Sequence, residues 1–337
     1  MSVKTDLSIL DRFSQLRVAV LGDVMLDVYA WGQVNRISPE APVPVVSITR
    51  RTSCLGGAAN VMRNLATLGA ASEGFGVIGN DATGRQLIRA LEEAGITSRG
   101  ILQDPERPTT EKCRIMASGQ QLLRIDEENI APVSDELRRK LVNAIIDRIR
   151  QGALDAIIFE DYAKGLLSSW MLEEIVSQAR QYKIPTALDP KPGGLEPVKG
   201  LTFIKPNRLE AFAMAKCQDK NPGTDPRQDP ALREAADHLL ALWEPEHLLI
   251  SLASQGMALF SRCREMQVIP TRAQEVFDVS GAGDTVTASY TLALAGGASP
   301  ADAAEIANLA ASVVVAKVGT APIYFNELKK VCQEEKF

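Results

Sequence analysis

The sequence predicts an α/β protein with a mostly parallel central sheet, helices on both of its faces, and a small second β-sheet. Short apolar runs rich in β-branched residues alternate with longer segments of helical periodicity along most of the chain. Many of these runs end in a glycine or a polar residue, and one proline-rich segment interrupts the alternation. Strands that alternate with helices are joined by crossovers, so they form parallel sheets covered on both faces.

Length and composition bound the class of protein. A chain of 337 residues can bury a large core, as one α/β domain or as two smaller ones, and we predict a single domain over residues 1–337. Its 45% hydrophobic and 23% charged residues are typical of a soluble globular protein. The net charge of −5 argues against nucleic acid as the main partner. No uncharged apolar run reaches the ~18 residues of a membrane span, so we expect no membrane partner.

Cysteine and histidine usage indicates a reducing compartment. The five cysteines are widely separated and odd in number, no Cys-x-x-Cys pair occurs, and His238 and His247 are the only histidines. A disulfide framework and a zinc site are therefore not expected. Residues 1–10 contain Lys4 and Asp6 and lack an apolar segment, which predicts no signal peptide and a cytoplasmic protein.

The first strand leads into a projecting β-flap. Residues 16–21 are apolar and β-branched and predict a central strand, with Asp27 on the loop beyond it. Residues 29–50 are rich in Val and Pro, so they exclude a helix, and the prolines should confine these strands to sheet edges. Residues 109–125 alternate loosely around Gly119, which predicts a hairpin that pairs with the flap.

A glycine-rich helix start follows the flap. The predicted helix opens at residues 55–60 and runs to residue 68. Gly56 and Gly57 let the helix start approach a ligand closely, and Asn60 is placed to reach it. The alternative interpretation is that both glycines serve tight packing of the helix on the sheet.

Residues 74–79 match the pattern G-x-G-x-x-G, but they do not predict a dinucleotide site. That fingerprint requires a strand before the glycines and a helix after them. Here the glycines lie within the predicted strand, and no acidic residue follows at the required distance of about 20 residues. We therefore do not expect a nicotinamide cofactor.

The middle of the chain repeats one order of elements, in which a strand is followed by a polar turn and then by a helix. Helices are predicted at 83–94, 134–150, 168–182 and 231–242, and strands at 156–159, 186–188, 201–204 and 247–251. Polar side chains follow strand ends repeatedly: Asp23, Glu160, Asp189, Lys191, Asn207, Ser251 and Asp284. Ligands of open α/β sheets bind beyond the carboxyl ends of the strands, so we expect these residues to converge on one edge. Taken singly, each is equally well explained as a solvated loop residue.

The most informative turn is residues 277–285. We predict a strand at 275–277, then a Gly-Ala-Gly turn, then a buried helix over 286–296. The first N–H groups of a helix lack intrahelical partners and attract anions, above all phosphate. Asp284 lies beside those donors, although an ordinary capped helix start with an acidic first turn would have the same pattern.

This turn favours phosphoryl transfer to a hydroxyl group. The sequence offers no Ser–His or Cys–His nucleophile, whereas phosphoryl transfer needs mainly positioning and charge stabilisation. Asp284 would accept the proton of the attacking hydroxyl, and the N–H groups of Gly281, Ala282 and Gly283 would stabilise the transferred phosphoryl group. We expect the helix N-terminus to lower the Asp284 pKa below its ordinary ~3.9.

Two stretches resemble the signatures of the ribokinase (PfkB) family of carbohydrate kinases. Residues 278–285 resemble the C-terminal signature and residues 56–60 the N-terminal one, and the resemblance extends over residues 22–319. It implies a ribokinase-like fold, ATP and Mg²⁺ as cofactors, K⁺ as a further ion, and a lid formed by about 29–50 and 107–125. The lid of such kinases also implies a homodimer through it, with no nucleic acid or membrane as partner.

The same resemblance assigns roles to residues by position. It implies Asp284 as base and Gly281, Ala282 and Gly283 as the anion hole. It places sugar hydroxyls at Asp27, Gly56, Gly57 and Asn60, with Glu160 added to the sugar side. It places ATP phosphates and metal at Asn207, Arg208, Leu209 and Glu210, and the nucleotide at Ser251 and Gly256. It places a monovalent cation at Asp278, Ala316 and Gly319.

Within this family, residues 22–46, 55–70, 189–191 and 205–211 are similar to heptose-phosphate kinases of lipopolysaccharide synthesis. This similarity implies ATP-dependent phosphorylation of D-glycero-D-manno-heptose 7-phosphate at C1, in the β configuration. Because the sequence ends at Phe337, we expect a stand-alone kinase. The alternatives are a fructose-phosphate or ribose kinase of the same fold, and a sugar-binding regulator without activity.

A phosphorylated sugar requires cations in the site. The candidates for the substrate's own phosphate are Arg36, Arg124 and Lys191, with Lys164 less favoured. Solvated surface charge is the alternative interpretation of each of them. If Lys191 holds that phosphate, Lys191→Ala should weaken sugar binding far more than ATP binding.

Overall fold

The computed structural model describes residues 8–220, 222–263, 265–273 and 275–335. Residues 1–7, on which the signal-peptide prediction depends, and the end at Phe337 lie outside these ranges. The strands are β1 (Arg17–Gly22), β2 (Val24–Ile37), β3 (Pro44–Gly57), β4 (Ala71–Ile78), β5 (Thr97–Gln103), β6 (Glu111–Ala117), β7 (Gln120–Glu127), β8 (Ala156–Glu160), β9 (Thr186–Asp189), β10 (Phe203–Ile204), β11 (His247–Ser251), β12 (Met257–Ser261) and β13 (Met266–Ile269). The helices are α1 (Ser8–Asp11), α2 (Ala58–Thr67), α3 (Ala82–Glu93), α4 (Asp135–Arg150), α5 (Ser169–Gln181), α6 (Arg208–Ala215), α7 (Pro230–Trp243), α8 (Ala282–Ala295), α9 (Pro300–Val315) and α10 (Phe325–Glu334).

The main sheet has nine strands in the order β13-β12-β11-β10-β9-β8-β1-β4-β5. Every pair from β11 to β5 is parallel, and β12 and β13 add an antiparallel edge. The chain builds outward from β1 to β4 and β5 on one side, and then returns to place β8 on the other side. Such a reversal between neighbouring strands is where open α/β sheets bind ligands. The predicted fold class is confirmed, whereas the β12–β13 hairpin was not predicted.

Helices cover both faces of this sheet because its strands are apolar on both sides. Along β1, Val18 and Val20 pack into one core with α2, α8 and α9, whereas Ala19 and Leu21 pack into the other core with α4, α5 and α7. The period-2 alternation of a strand directs its neighbouring residues to opposite faces. Within the described ranges, the structure contains no helix with the length and apolarity to cross a membrane.

A second sheet of four strands, in the order β3-β2-β6-β7, forms the lid. β2 pairs antiparallel with β3 and parallel with β6. The prediction that prolines confine the flap strands to edges is correct for β3 and wrong for β2. Pro39 and Pro42 lie in the connection between β2 and β3, and Pro44 is the first residue of β3. The prolines therefore remove no hydrogen bond from the interior strand.

The strand predicted at residues 275–277 is absent. Val276 and Phe277 are largely exposed, and the N–H groups of Phe277 and Asp278 both donate to the carbonyl of Val315 at the end of α9. Their β-branched and aromatic composition favours a strand, but the described residues provide no neighbouring strand to pair with. The segment instead leads into α8 and is hydrogen-bonded to the end of α9.

Candidate active site

Asp284 lies in the first turn of α8, and two side chains from other elements donate to it. Asn60 Nδ2 donates to Oδ2 at 2.7 Å, and Tyr162 Oη donates to Oδ1 at 2.6 Å. Asn60 comes from α2, and Tyr162 follows β8, so the carboxylate lies at the reversal point of the sheet. The sequence predicted the Asn60–Asp284 neighbourhood but did not single out Tyr162.

A further residue fixes the orientation of the Asn60 amide. Arg63 Nη2 donates to Asn60 Oδ1 at 2.6 Å and to the carbonyl of Thr320 at 2.6 Å. Because a guanidinium can only donate, it identifies the amide oxygen and leaves the Nδ2 group facing Asp284. Arg63 is one helical turn after Asn60, a spacing that could have indicated it in the sequence.

The environment makes Asp284 a better base than the sequence predicts. Burial raises the pKa of Asp284 to about 6, while the hydrogen bonds from Tyr162 and Asn60 oppose that rise. The expectation that the helix N-terminus would lower this pKa is wrong, because loss of hydration outweighs the dipole at a buried site. A carboxylate that titrates near pH 6 is ionised at neutral pH and accepts a proton more readily than an exposed Asp.

The anion hole at the start of α8 has two of its three predicted donors. Gly281 adopts a φ of 79°, and a Cβ there would lie 2.8 Å from Asn60 Nδ2, so this position requires glycine. The Ala282 N–H donates to the carbonyl of Val279 at 3.2 Å, which removes it from the predicted set. Among the described residues, no acceptor is bonded to the N–H groups of Gly281 and Gly283, so these two stay candidates for an anion.

A buried lysine, which the sequence did not single out, lies against this turn. Lys205 Nζ is 3.5 Å from the position a Gly283 Cβ would occupy, and it pairs with Asp189 Oδ2 at 2.8 Å. Burial opposes its charge, but Asp189 raises the Lys205 pKa, so Lys205 is a fixed cation beside the anion hole. A positive charge at this place is what a phosphoryl group bound at the turn would require.

Glu160 lies beneath the site and not on its surface. Its side chain is fully buried, and neither carboxylate oxygen has a hydrogen-bond partner in the described part of the chain. Oxygens of Glu160, Asp189 and Asp284 lie within 4.8 Å of one another. Burial and these two neighbours raise the Glu160 pKa well above its ordinary value, which favours a proton on Glu160.

Beside Asp284 opens a cleft of about 780 Å³. Its walls include the residues predicted for the nucleotide, together with two lysines: Asn207, Arg208, Leu209, Glu210, Ser251, Gly256, Lys191 and Lys205. Asn207 and Glu210 form a capping box at the start of α6, in which each side chain accepts from the other's backbone N–H. The side chains at this end of α6 are therefore held before any ligand binds.

Lys191 belongs to this cleft and not to the sugar side. Its Nζ pairs with Glu210 Oε1 and lies 5.5 Å from the centre of the Tyr162 ring. Burial opposes its charge, but Glu210 raises the Lys191 pKa, so the ammonium group is retained. The structure thus places Lys191 between the nucleotide residues and the base.

Three further residues predicted to contact the nucleotide, Arg208, Leu209 and Gly256, differ in their surroundings. Arg208 donates to Asp219 at 2.7 Å and 2.6 Å and to Asp229 at 2.6 Å, so its charge is already compensated. Leu209 is 77% exposed. Gly256 has a φ of 89°, and a Cβ there would lie 2.0 Å from the Ile269 carbonyl, which explains the glycine by turn geometry.

On the opposite side of Asp284, the lid presents a second carboxylate. Asp27 on β2 accepts a hydrogen bond from Arg114 Nη1 at 2.6 Å. A Cβ on Gly56 would lie 2.5 Å from Asp27 Oδ2, and Gly57 has a φ of 56°. Gly56 therefore makes room for Asp27 at the base of the lid, whereas a Cβ on Gly57 would lie 2.5 Å from the Asp23 carbonyl oxygen. Arg114 was not predicted.

The two remaining cation candidates lie in different places. Arg36 is exposed near the far end of β2, nine residues beyond Asp27 and therefore about 30 Å along the strand. The structure does not bring it to the site within this chain. Arg124 on β7 lies opposite Arg114 in the register of the lid and pairs with Asp126 at 2.9 Å.

The three residues assigned to a monovalent cation meet beside the anion turn. Asp278 Oδ1 accepts from the Ser280 N–H at 2.8 Å, and its Oδ2 accepts from the Gly319 N–H at 3.1 Å. Ala316 caps the C-terminus of α9. Both Asp278 oxygens thus accept backbone N–H groups, which places Asp278 beside Gly319 and Ser280. Of this group, the carboxylate oxygens are of the kind that a hard cation binds.

A buried carboxylate at a helix start, beside a cleft and below a lid, is an arrangement suited to phosphoryl transfer to a small molecule. The family comparison identifies the class: residues 15–324 match the model of the pfkB family of carbohydrate kinases. The chain belongs to that family, and it is a carbohydrate kinase.

Known relatives are similar to the chain over most of its length. The chain is 42% identical over 311 residues to the bifunctional protein HldE of Geobacter sulfurreducens, covering 91% of this chain and 61% of that protein. It is 42% identical over 323 residues to the protein of the same name from Desulfatibacillum aliphaticivorans, covering 96% and 64%. The chain therefore spans less than two thirds of these relatives.

Solved structures show the same fold at low sequence identity. The Arabidopsis thaliana ribokinase in complex with ribose and ATP aligns with a TM-score of 0.70 at 18% identity, covering 94% of this chain and 99% of that one. Escherichia coli phosphofructokinase-2 in complex with potassium aligns with a TM-score of 0.72 at 17% identity, covering 95% and 98%. These likenesses confirm the ribokinase-like architecture with its lid.

Proposed function

We propose that the protein transfers the γ-phosphoryl group of ATP to the C1 hydroxyl of D-glycero-D-manno-heptose 7-phosphate, giving the β-1,7-bisphosphate. The observation that carries the proposal is the position of Asp284, which contacts Asn60 on the sugar side and lines the nucleotide cleft. The stretches similar to heptose-phosphate kinases support the choice of sugar. Because ATP is the donor, we expect the reaction in the cytoplasm.

The chemistry follows from the arrangement around Asp284. The C1 hydroxyl binds at the carboxylate, which takes its proton as the new bond from the sugar oxygen to phosphorus forms. The bond from phosphorus to the β–γ bridging oxygen breaks, and ADP leaves. The N–H groups of Gly281 and Gly283, with Lys205, stabilise the charge on the transferred group. Asn60 and Tyr162 hold the base in position for this transfer.

We further propose that the protein binds two kinds of cation, Mg²⁺ and K⁺. Carboxylate oxygens of Asp189 and Glu210 line the nucleotide cleft, and Mg²⁺ prefers such ligands together with phosphate oxygens. Mg²⁺ would neutralise charge on the ATP phosphates. Asp278, Ala316 and Gly319 would hold K⁺ behind the anion hole.

We also propose a homodimer through the lid. The lid face opposite Asp27 carries a small buried cluster formed by Leu26, Val28, Ala30 and Cys113. On the same face, Leu123 and Ile125 are 57% and 52% exposed. A second copy of the chain would cover this apolar surface, and charged residues elsewhere on the lid would stay in solvent.

A panel of acceptors tests the function. ADP release is measured with heptose 7-phosphate, fructose 6-phosphate, ribose and no sugar, each with ATP and Mg²⁺. We expect kcat/KM to be highest for heptose 7-phosphate. A higher kcat/KM for fructose 6-phosphate or ribose would show that the proposed substrate is wrong and that the protein is a kinase for that sugar. No release with any sugar would favour the inactive regulator, against which the intact Asp284 and anion hole argue.

A further inference from the structure

The lid has a second face, and it is rich in cations. Lys112 and Arg114 are two residues apart on β6, so their side chains lie on the same face of the lid. The register pairs Asp27 with Lys112, and Arg114 donates to Asp27. This face therefore looks onto the proposed sugar site. Arg124 joins it from β7, directly opposite Arg114.

A fourth cation reaches the same place from the main domain. Lys164, in the loop after β8, pairs with Glu128 at 2.8 Å. Burial lowers the pKa of Lys112, and the positive charges of Lys164 and Arg124 lower it further, while Asp126 and Glu128 oppose the change. Three like charges in one half-buried place repel one another, so an anion between them would relieve that repulsion.

Lys112 is the member of this group that makes no direct ion pair in the described part of the chain, although Asp126 lies opposite it in the register and Glu128 is also near enough to act on its pKa. Arg114 is committed to Asp27, Arg124 to Asp126 and Lys164 to Glu128. For Lys112, the described residues provide no hydrogen bond or ion pair to Nζ. A half-buried ammonium that makes no direct hydrogen bond is costly, and an anionic ligand would supply one.

We propose that Lys112, with Arg124 and Lys164 beside it, binds the phosphate that the sugar substrate already carries. The inference rests on the proposed function and deepens it, because it makes the enzyme selective for sugar phosphates over free sugars. The phosphate would lie at the lid, beyond Asp27, while the reacting hydroxyl lies at Asp284. Ammonium and guanidinium groups bind phosphate oxygens through charge-assisted hydrogen bonds.

This assignment replaces two of the residues that the sequence suggested. Lys191 is occupied by Glu210 in the nucleotide cleft, and Arg36 lies at the far end of the lid. Arg124 stays a candidate for the substrate's phosphate, Lys164 becomes a main candidate, and Lys112 is added to the set. The lid would thus recognise the distal phosphate, and a closed lid would require it.

The test uses Lys112→Ala and Lys112→Arg, with Lys140→Ala as the matched control. Lys140 is an exposed lysine on α4 that pairs with Glu136 at 2.7 Å, outside the nucleotide cleft and the lid. Calorimetry gives the Kd of heptose 7-phosphate, fructose 6-phosphate and free heptose for each protein, which requires no turnover. Thermal unfolding verifies that every variant is folded.

We expect Lys112→Ala to raise the Kd of the preferred sugar phosphate by about 10- to 100-fold, the range of a lost charge-assisted hydrogen bond. The Kd of free heptose and of ATP should change less than about twofold, and Lys112→Arg should restore most of the affinity. An equal loss for the free sugar and the sugar phosphate would overturn the inference. So would an unchanged Kd for the sugar phosphate.

The two proposals fail in different ways. If the acceptor panel favours fructose 6-phosphate, the same comparison is made with that sugar and free fructose, and the phosphate site is judged on its own. If the wild-type protein binds free heptose as tightly as heptose 7-phosphate, the phosphate site is wrong even where the kinase activity is present.

Discussion

The nucleotide cleft and the lid both carry several cations, but they hold them differently. In the cleft, Lys205 is bound to Asp189, Lys191 to Glu210, and Arg208 to two aspartates. On the lid, Lys112 lacks such a partner among the described residues, and Arg124 is half exposed beside Asp126. The cleft is thus organised before its ligand arrives, whereas the lid side is completed by a ligand. Under the proposed function, ATP would bind to the preformed cleft, and the sugar phosphate would supply the ion pair that Lys112 lacks.

The largest expected effect is at the point where the two regions meet. Asp284→Asn should lower kcat by about 10²–10⁴-fold, because a general base is lost while the shape of the side chain is kept. Calorimetry should give nearly unchanged Kd values for ATP and sugar phosphate. Retained turnover would show that Asp284 is not the base. The nucleotide cleft and the lid would then not meet at this residue as proposed.

The same variant should gain stability at neutral pH. The Asp284 pKa is raised from 3.8 to about 6, so the folded state loses stability as pH rises through that window and the carboxylate ionises. Asp284→Asn avoids this cost, which is at most about 3 kcal/mol. Unfolding experiments should show its advantage above pH 6 and its disappearance below pH 4. A variant that is less stable at every pH would contradict the burial argument.

An intermediate effect is expected at Tyr162. Its hydroxyl donates to the Asp284 carboxylate and thereby lowers the pKa of Asp284. Tyr162→Phe should raise that pKa, so the acidic limb of the kcat/KM profile should move to higher pH. Profiles recorded from pH 5 to pH 9 with both enzymes measure the displacement, and coincident limbs would show that Tyr162 does not position the base.

The smallest expected effect is at Lys191, and it distinguishes the nucleotide cleft from the lid most directly. Lys191→Ala should raise the KM of ATP by about tenfold and that of the sugar phosphate less than about twofold, because Lys191 lies in the nucleotide cleft. This is the reverse of the expectation drawn from the sequence. Steady-state kinetics with each substrate varied decide between them, and a selective loss for the sugar would return Lys191 to the lid side.

Sequence reasoning succeeded where a residue's neighbourhood is local. The alternation of strands and helices predicted the parallel sheet, and the Gly281–Asp284 turn predicted a carboxylate at a helix start near Asn60. It failed where a role depends on distant partners. Tyr162, Arg63 and Lys205 look like ordinary loop and helix residues, because the atoms they contact are far away along the chain.

The strand missed at β12–β13 and the false strand at 275–277 have the same cause. Short apolar segments favour extended backbone everywhere, but a strand exists only where a neighbour offers its hydrogen-bonding edge. Met257–Ser261 finds β11, whereas residues 275–277 find the end of α9. Propensity alone does not contain that information.

The sequence by itself determined the family, the fold and the candidate base, because these depend on patterns contained within single segments. Only the tertiary structure decided how burial shifts the pKa of Asp284, which lysine lies in the cleft and which on the lid, and which charges are paired. Those properties are set by burial and by the charges that folding brings close, and both arise from segments that are remote in the chain.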